Sequence, residues 1–232
     1  MLRSVAVYSS LERVDIVLKD DNGTTVHAQT DHRSAEQVAA APEISILFAI
    51  ARVLNARRNA PRRLRVAYFA RCEPPAFLKQ VLAALGAELF VDQQHRALNG
   101  RPAPVDPLLN EQLAALAERT RIAHGLGDDF ASVERFARSV GATPPPEEDE
   151  AAHWTRIFEL AASAGRVLAR GSSARWRIEE KKELVPFVFR VELPNDSFEL
   201  DLMAASKRAV SGSPEPLLEM LASATKRLAS LN

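Results

Sequence analysis

Cys72 sits in Arg71-Cys72-Glu73-Pro74-Pro75, where the residue pattern passes from a strand to a helix. Backbone N–H groups at a helix start stabilise a thiolate, and in open sheets ligands bind at strand ends. Arg71 adds a positive neighbour, but Glu73 opposes it. The phosphatase pattern of a cysteine, five residues and an arginine is absent, because Lys79 comes seven after Cys72 and no arginine follows in that loop. A small, partly buried thiol without a chemical role is the plainer alternative.

The segment His27-Ala28-Gln29-Thr30-Asp31-His32 offers two imidazoles and a carboxylate. A metal would need both imidazoles to converge with a third ligand, and the sequence names none. Asp31 suits the cap of a turn through its side-chain oxygen. Should Asp31 and His32 reach the same sheet edge as Cys72, a thiol–imidazole–carboxylate set becomes conceivable, with His32 as base. These three residues are the weak catalytic candidates.

Arg57, Arg58, Arg62, Arg63 and Arg65 fall within nine residues, at a helix C-terminus and the loop beyond. Arginine there complements the negative end of the helix dipole. It could also contact phosphates of RNA or DNA, or dock an acidic protein. No aromatic residue for base stacking interrupts the cluster. Trp154, Phe158, Trp176, Phe187 and Phe189 could line a ligand pocket, although a helix packed on a sheet explains them equally. Arg175, Arg177 and Arg190 alternate with those strand residues and are expected to face solvent or a partner.

Other signatures are absent: no G-x-G-x-x-G, P-loop, G-x-S-x-G or H-E-x-x-H occurs. No cofactor or metal is therefore expected. The 232 residues carry 30 basic and 30 acidic side chains, so no global field draws the chain to nucleic acid or an anionic membrane. One cysteine excludes an intramolecular disulfide and a cysteine-based zinc site. The run Ile44 to Leu54 already contains Arg52 and is far below the ~20 residues that span a bilayer. The first residues lack the apolar run of a signal peptide. A cytoplasmic protein is expected, and the excess of arginine over lysine suggests a bacterial one.

The elements that must position these residues read as an α+β chain in two units. Val14, Ile16 and Leu18 alternate, Asp20-Asp21-Asn22-Gly23 turns the chain, and Thr24 to Thr30 returns as a hairpin partner. Ser34 to Gln37 has the spacing of a capping box, and Pro42 opens an apolar helix buried on more than one side. A strand at 64–70, a helix after Pro75 ended by Gly86, and a strand at 88–91 complete a β-β-α-α-β-α-β unit over 1–95. A linker and helical pair occupy 96–146, with helices near 107–123 and 129–140. Residues 147–232 form an α-β-β-β-α-α unit, a long helix on an antiparallel sheet, opened by the acidic run Glu147 to Glu150.

Val14-Asp15-Ile16-Val17, Asp31-His32, the apolar helix 44–54 and Leu64-Arg65-Val66-Ala67-Tyr68 together resemble a small family of uncharacterised bacterial proteins. Its members share a hairpin ending in Asp-His, then a helix and a terminal β-α-β. The resemblance covers about residues 5–92 and implies one domain there; it implies no activity. The leading expectation for function is a non-enzymatic interaction or accessory protein whose partner is another protein or a second copy, not a membrane. A cysteine enzyme using Cys72 and a nucleic-acid binder using the arginine cluster are the alternatives.

Overall fold

The computed structural model describes residues 3–6, 16–19, 25–31, 33–58, 65–92, 94–100, 104–146, 149–170, 172–179, 186–193 and 196–229. The fold is α+β, and the chain divides into two compact units. Unit one is Met1–Leu108 with Glu179–Pro186; unit two is Leu109–Ile178 with Phe187–Asn232.

Unit one holds strands β1 (Arg3–Ala6), β2 (Ile16–Lys19), β3 (Thr25–Asp31), β4 (Arg65–Ala70), β5 (Glu88–Val91) and β6 (Gln94–Arg96), in that spatial order. The expected hairpin is present: β2 and β3 are antiparallel with Lys19 opposite Thr25, while its Asn-Gly turn lies outside the described residues. Between β3 and β4 run α1 (Ala35–Ala40) and α2 (Pro42–Arg58); α3 (Ala76–Ala84) links β4 to β5. Both links join parallel neighbours, as a crossover helix must. Edge strands β1 and β6 were not read from the sequence. β6 is three polar residues, and Asp92, with φ 46°, makes the turn into it.

Local chemistry sets the helix ends. Ser34 Oγ accepts from Gln37 N–H while the Gln37 side chain accepts from Ser34 N–H, the reciprocal capping box. Residues Ile44 through Ala51 of α2 are all buried, consistent with a helix packed on more than one side. Gly86, at φ 65°, closes α3: its N–H donates to Ala83 O, and Ala87 N–H donates to Leu82 O. That is the Schellman arrangement, and it requires the left-handed conformation glycine adopts freely.

Unit two contains α4 from Leu109 onward (α4 is Val105–His124), α5 (Phe130–Ala142), α6 (Glu150–Ala169), strands β7 (Arg175–Ile178), β8 (Phe187–Leu193) and β9 (Asp196–Leu200), then α7 (Leu202–Val210) and α8 (Glu215–Ala229). The helical pair α4–α5, expected to stand between two domains, belongs to this unit, with α5 against α6 and α7. The physical reason is apolar area: α5 buries Val133, Phe136, Ala137 and Val140, a face too large to leave on a linker. The antiparallel sheet runs β7-β8-β9. Trp154, Ile157, Phe158, Ala161 and Leu168 of α6 are core residues with Phe187 and Val191 of β8. Phe158 and Phe187 meet at a ring distance of 6.3 Å. Asp149, Asp129 and Asp201 cap α6, α5 and α7 through their side-chain oxygens, so one residue of the acidic run has a structural role.

Candidate functional site

At the C-terminal ends of β3 and β4, Asp31 is registered beside Ala70, and the Cys72 thiol donates to the Arg33 carbonyl at 3.7 Å. The backbone thus places Asp31 and Cys72, which sequence spacing alone could not bring together, at the same end of β3 and β4; His32 lies outside the described residues. Cys72 shares a crevice with Arg33, Ala35, Val38, Tyr68 and Leu78, but only about 10 Å³ of it is open to water, about one molecule. The Arg33 guanidinium stacks on Phe48, 4.8 Å from the ring centre, and donates to Ser45 Oγ at 3.2 Å. Arg52 lies over the same ring at 5.2 Å. Glu73 is ion-paired to Lys79 at 2.5 Å and Arg96 at 3.5 Å. The Lys79 hydrogen bond, above all, holds its carboxyl below the ordinary value.

Of the arginine cluster, Arg65 begins β4, at the opposite end of that strand from Cys72 and about 20 Å from it along the chain. Arg57 is exposed at the end of α2. Arg65 is held by Glu88 through two contacts of 2.5 Å in an exposed ion pair. Arg62 and Arg63 lie outside the described residues, as does the side chain of Arg58.

A larger feature, unread from the sequence, is a cleft in unit two with about 180 Å³ open to water. Its two long walls come from helices. Asn110, Leu113, Ala114 and Ala117 of α4 face Ala162, Gly165, Arg166 and Ala169 of α6. Both sets follow the i, i+3, i+4, i+7 spacing of one helical face. Ala174, Arg175 and Trp176 of β7, with Phe189 of β8, complete the lining. All five aromatics considered from the sequence are buried, and Trp176 and Phe189 also border the cleft.

Trp176 closes the cleft because Gly165 lets it. A Cβ at Gly165 would stand 3.0 Å from Trp176 Cζ2 and 3.2 Å from Phe189 Cε2. Glycine inside a helix costs about 1 kcal/mol against alanine, so this position trades helix propensity for the close approach of the indole. Asn110 fixes the strand: its amide donates to Trp176 O and accepts from Trp176 N–H, both at 2.8 Å.

Ion-pair networks flank the cleft. Arg166 holds Asp128 at 2.6 Å and Glu118 at 2.9 Å, and Arg121 holds Glu118 at 2.6 Å. Arg170 adds a bond to the Asp128 carbonyl at 3.2 Å. The Arg166 hydrogen bond keeps the Asp128 carboxyl below its ordinary value, and Arg121 does the same for Glu118. On the other rim, Glu192 takes Arg175 at 2.7 Å and Arg177 at 3.6 Å, and the Arg175 bond leads in lowering its pKa. The expectation that Arg175, Arg177 and Arg190 face outward holds for Arg175, which is exposed; Arg177 and Arg190 are half-buried, with Arg190 3.8 Å from Glu199.

Among the described residues, no cluster of three histidines, cysteines or carboxylates could hold a metal ion, and no helix is long and apolar enough to cross a membrane. No family model, curated protein or solved structure matches the chain.

Proposed function

We propose that this chain is a non-enzymatic accessory protein that acts by recognition, with the α4–α6–β7 cleft as its binding site and another protein as its partner. One observation supports this above the rest. The cleft is walled by small apolar side chains and an indole, and no cysteine, histidine or carboxylate lines it. A pocket of that kind offers shape and apolar surface but no nucleophile and no acid–base pair. Its arginines are engaged by carboxylates, which suits orientation of a bound group.

Ala114 is exposed on the cleft wall, so Ala114→Phe fills the mouth without entering the core. The test compares tagged wild-type and Ala114→Phe chains recovered from the native host. A partner held by the wild type and lost from the variant supports the reading. Recovery unaffected by the variant, or turnover of a substrate by the purified chain with no partner, overturns it.

A second reading has one observation in its favour: the register of β3 and β4 brings the Asp31 segment to Cys72. It would make the chain a cysteine enzyme with His32 as base. The one-water crevice leaves no room for a substrate beside the thiol, and a substrate would have to open it. For the nucleic-acid reading, Arg65 would have to exchange its Glu88 ion pair for a phosphate.

A further inference from the structure

We infer that the cleft takes one long aliphatic side chain, leucine or methionine, from an otherwise polar segment of the partner polypeptide. This rests on the reading of the cleft as a recognition site and deepens it by naming what enters.

Size is the first argument. About 180 Å³ of the cleft is open to water. Sites for cofactors and other free small ligands run from about 300 to 1,000 Å³, whereas an apolar cavity of about 150 Å³ holds one benzene. The space suits a single large side chain. It is too small for a free cofactor or for the several anchors of a docked helix.

Lining chemistry is the second. Ala114 and Ala117 of α4 face Ala162, Gly165 and Ala169 of α6, and these five residues present nothing larger than a methyl group. Beyond them, Trp176 and Phe189 border the same space, their ring centres 5.2 Å apart and their planes at 70°. These two rings already meet edge to face, the arrangement aromatic pairs favour, so a third ring has less to gain there. A slender aliphatic chain passes between the methyl walls and ends against the rings. A thioether adds a favourable sulfur–ring contact.

The rim is the third. Among the described residues, the charged members of the lining are Arg166 and Arg175, and both are ion-paired to carboxylates outside it. Arg166 holds Asp128 and Glu118, and Arg175 holds Glu192. The mouth therefore presents ion pairs, both signs together. Such a rim matches a polypeptide whose anchor is flanked by polar residues, with the rim keeping water from the buried contact. An anionic lipid surface or a nucleic acid calls instead for one sign of charge.

The probe is a random peptide library displayed on phage, panned on the full chain after removal of binders to Ala114→Phe. Ala169→Leu, which narrows the cleft from a half-buried position on the α6 wall, replaces Ala114→Phe if that variant loses its near-UV circular dichroism. The expected result is a set of peptides sharing one leucine or methionine at a fixed position among polar neighbours. Replacing that residue by alanine in the peptide should weaken binding about tenfold or more, as loss of one buried aliphatic side chain requires. Affinity should change little as salt is raised, because the contact is apolar. An aromatic or charged consensus, two or more required apolar positions, or binding abolished by salt overturns the inference, as does a library that yields no peptide. Partner recovery dependent on Ala114 would still leave the proposed function standing in each of those cases.

Discussion

The side-chain amide of Asn110 bonds both backbone groups of Trp176, donating to its carbonyl and accepting from its N–H at 2.8 Å each. A single side chain thereby occupies the outer edge of β7, where a further strand would otherwise pair. It also ties α4 to the sheet at the floor of the cleft.

Removing that amide should be costly. Asn110→Ala leaves a donor and an acceptor of Trp176 without their partner, and the expected loss is about 1–3 kcal/mol of unfolding free energy. Asn110→Asp should also destabilise, because a carboxylate cannot donate to the Trp176 carbonyl. Urea titrations of both variants check this, and wild-type midpoints would contradict it.

Gly165 carries the second prediction. Gly165→Val should destabilise the chain by about 1–3 kcal/mol through overpacking against Trp176 and Phe189, despite removing a helical glycine. The near-UV circular dichroism of Trp176 should change with it. A more stable variant with an unchanged spectrum would show that the indole has room to move.

The third concerns pH. Asp128 and Glu118 have folded-state pKa values below their ordinary 3.8 and 4.5, so the folded chain favours their ionised forms. Stability from these pairs is present above the ordinary values and lost as pH falls through the lower folded ones. Arg166→Gln should therefore lower the urea midpoint at neutral pH, and the gap to wild type should close below about pH 4. Because both carboxylates are partly exposed, added salt should narrow the gap too. A gap constant from pH 7 to 3 would contradict the assignment.

Two of the sites suggested by residue type make the fourth prediction. Cys72 is half-buried against the Arg33 carbonyl, so its alkylation by iodoacetamide at neutral pH should be slow compared with the same thiol in urea. Fast alkylation of the folded chain would revive the enzyme reading. With Arg65 held by Glu88, no mobility shift with RNA or DNA is expected even at low salt, where phosphate contacts are strongest.

Much of the fold was legible because its signals are local. The capping box at Ser34, the left-handed stop at Gly86 and the alternation of Phe187, Phe189 and Val191 each depend on a few neighbouring residues. β6 escaped because Gln94-His95-Arg96 has no apolar alternation; pairing with β5 alone makes it a strand. The cleft escaped for a different reason. Ala162, Gly165 and Ala169 read as ordinary helix filler, and only the facing set on α4, some fifty residues earlier, turns them into a wall. The helical spacing of small residues on both α4 and α6 was the available signal. Asn110 gave none, since nothing near it in sequence shows that it would bond Trp176.

The claim that the chain works by recognition at this cleft is tested most directly by a photo-crosslinking amino acid at Ser173, exposed beside the lining residue Ala174, in the native host. Ile122, exposed on α4 outside the cleft, is the control position. The account predicts a discrete protein adduct from Ser173 that disappears when Ala114→Phe is added, with no such adduct from Ile122. An adduct that persists with Ala114→Phe, or none from Ser173, would contradict it.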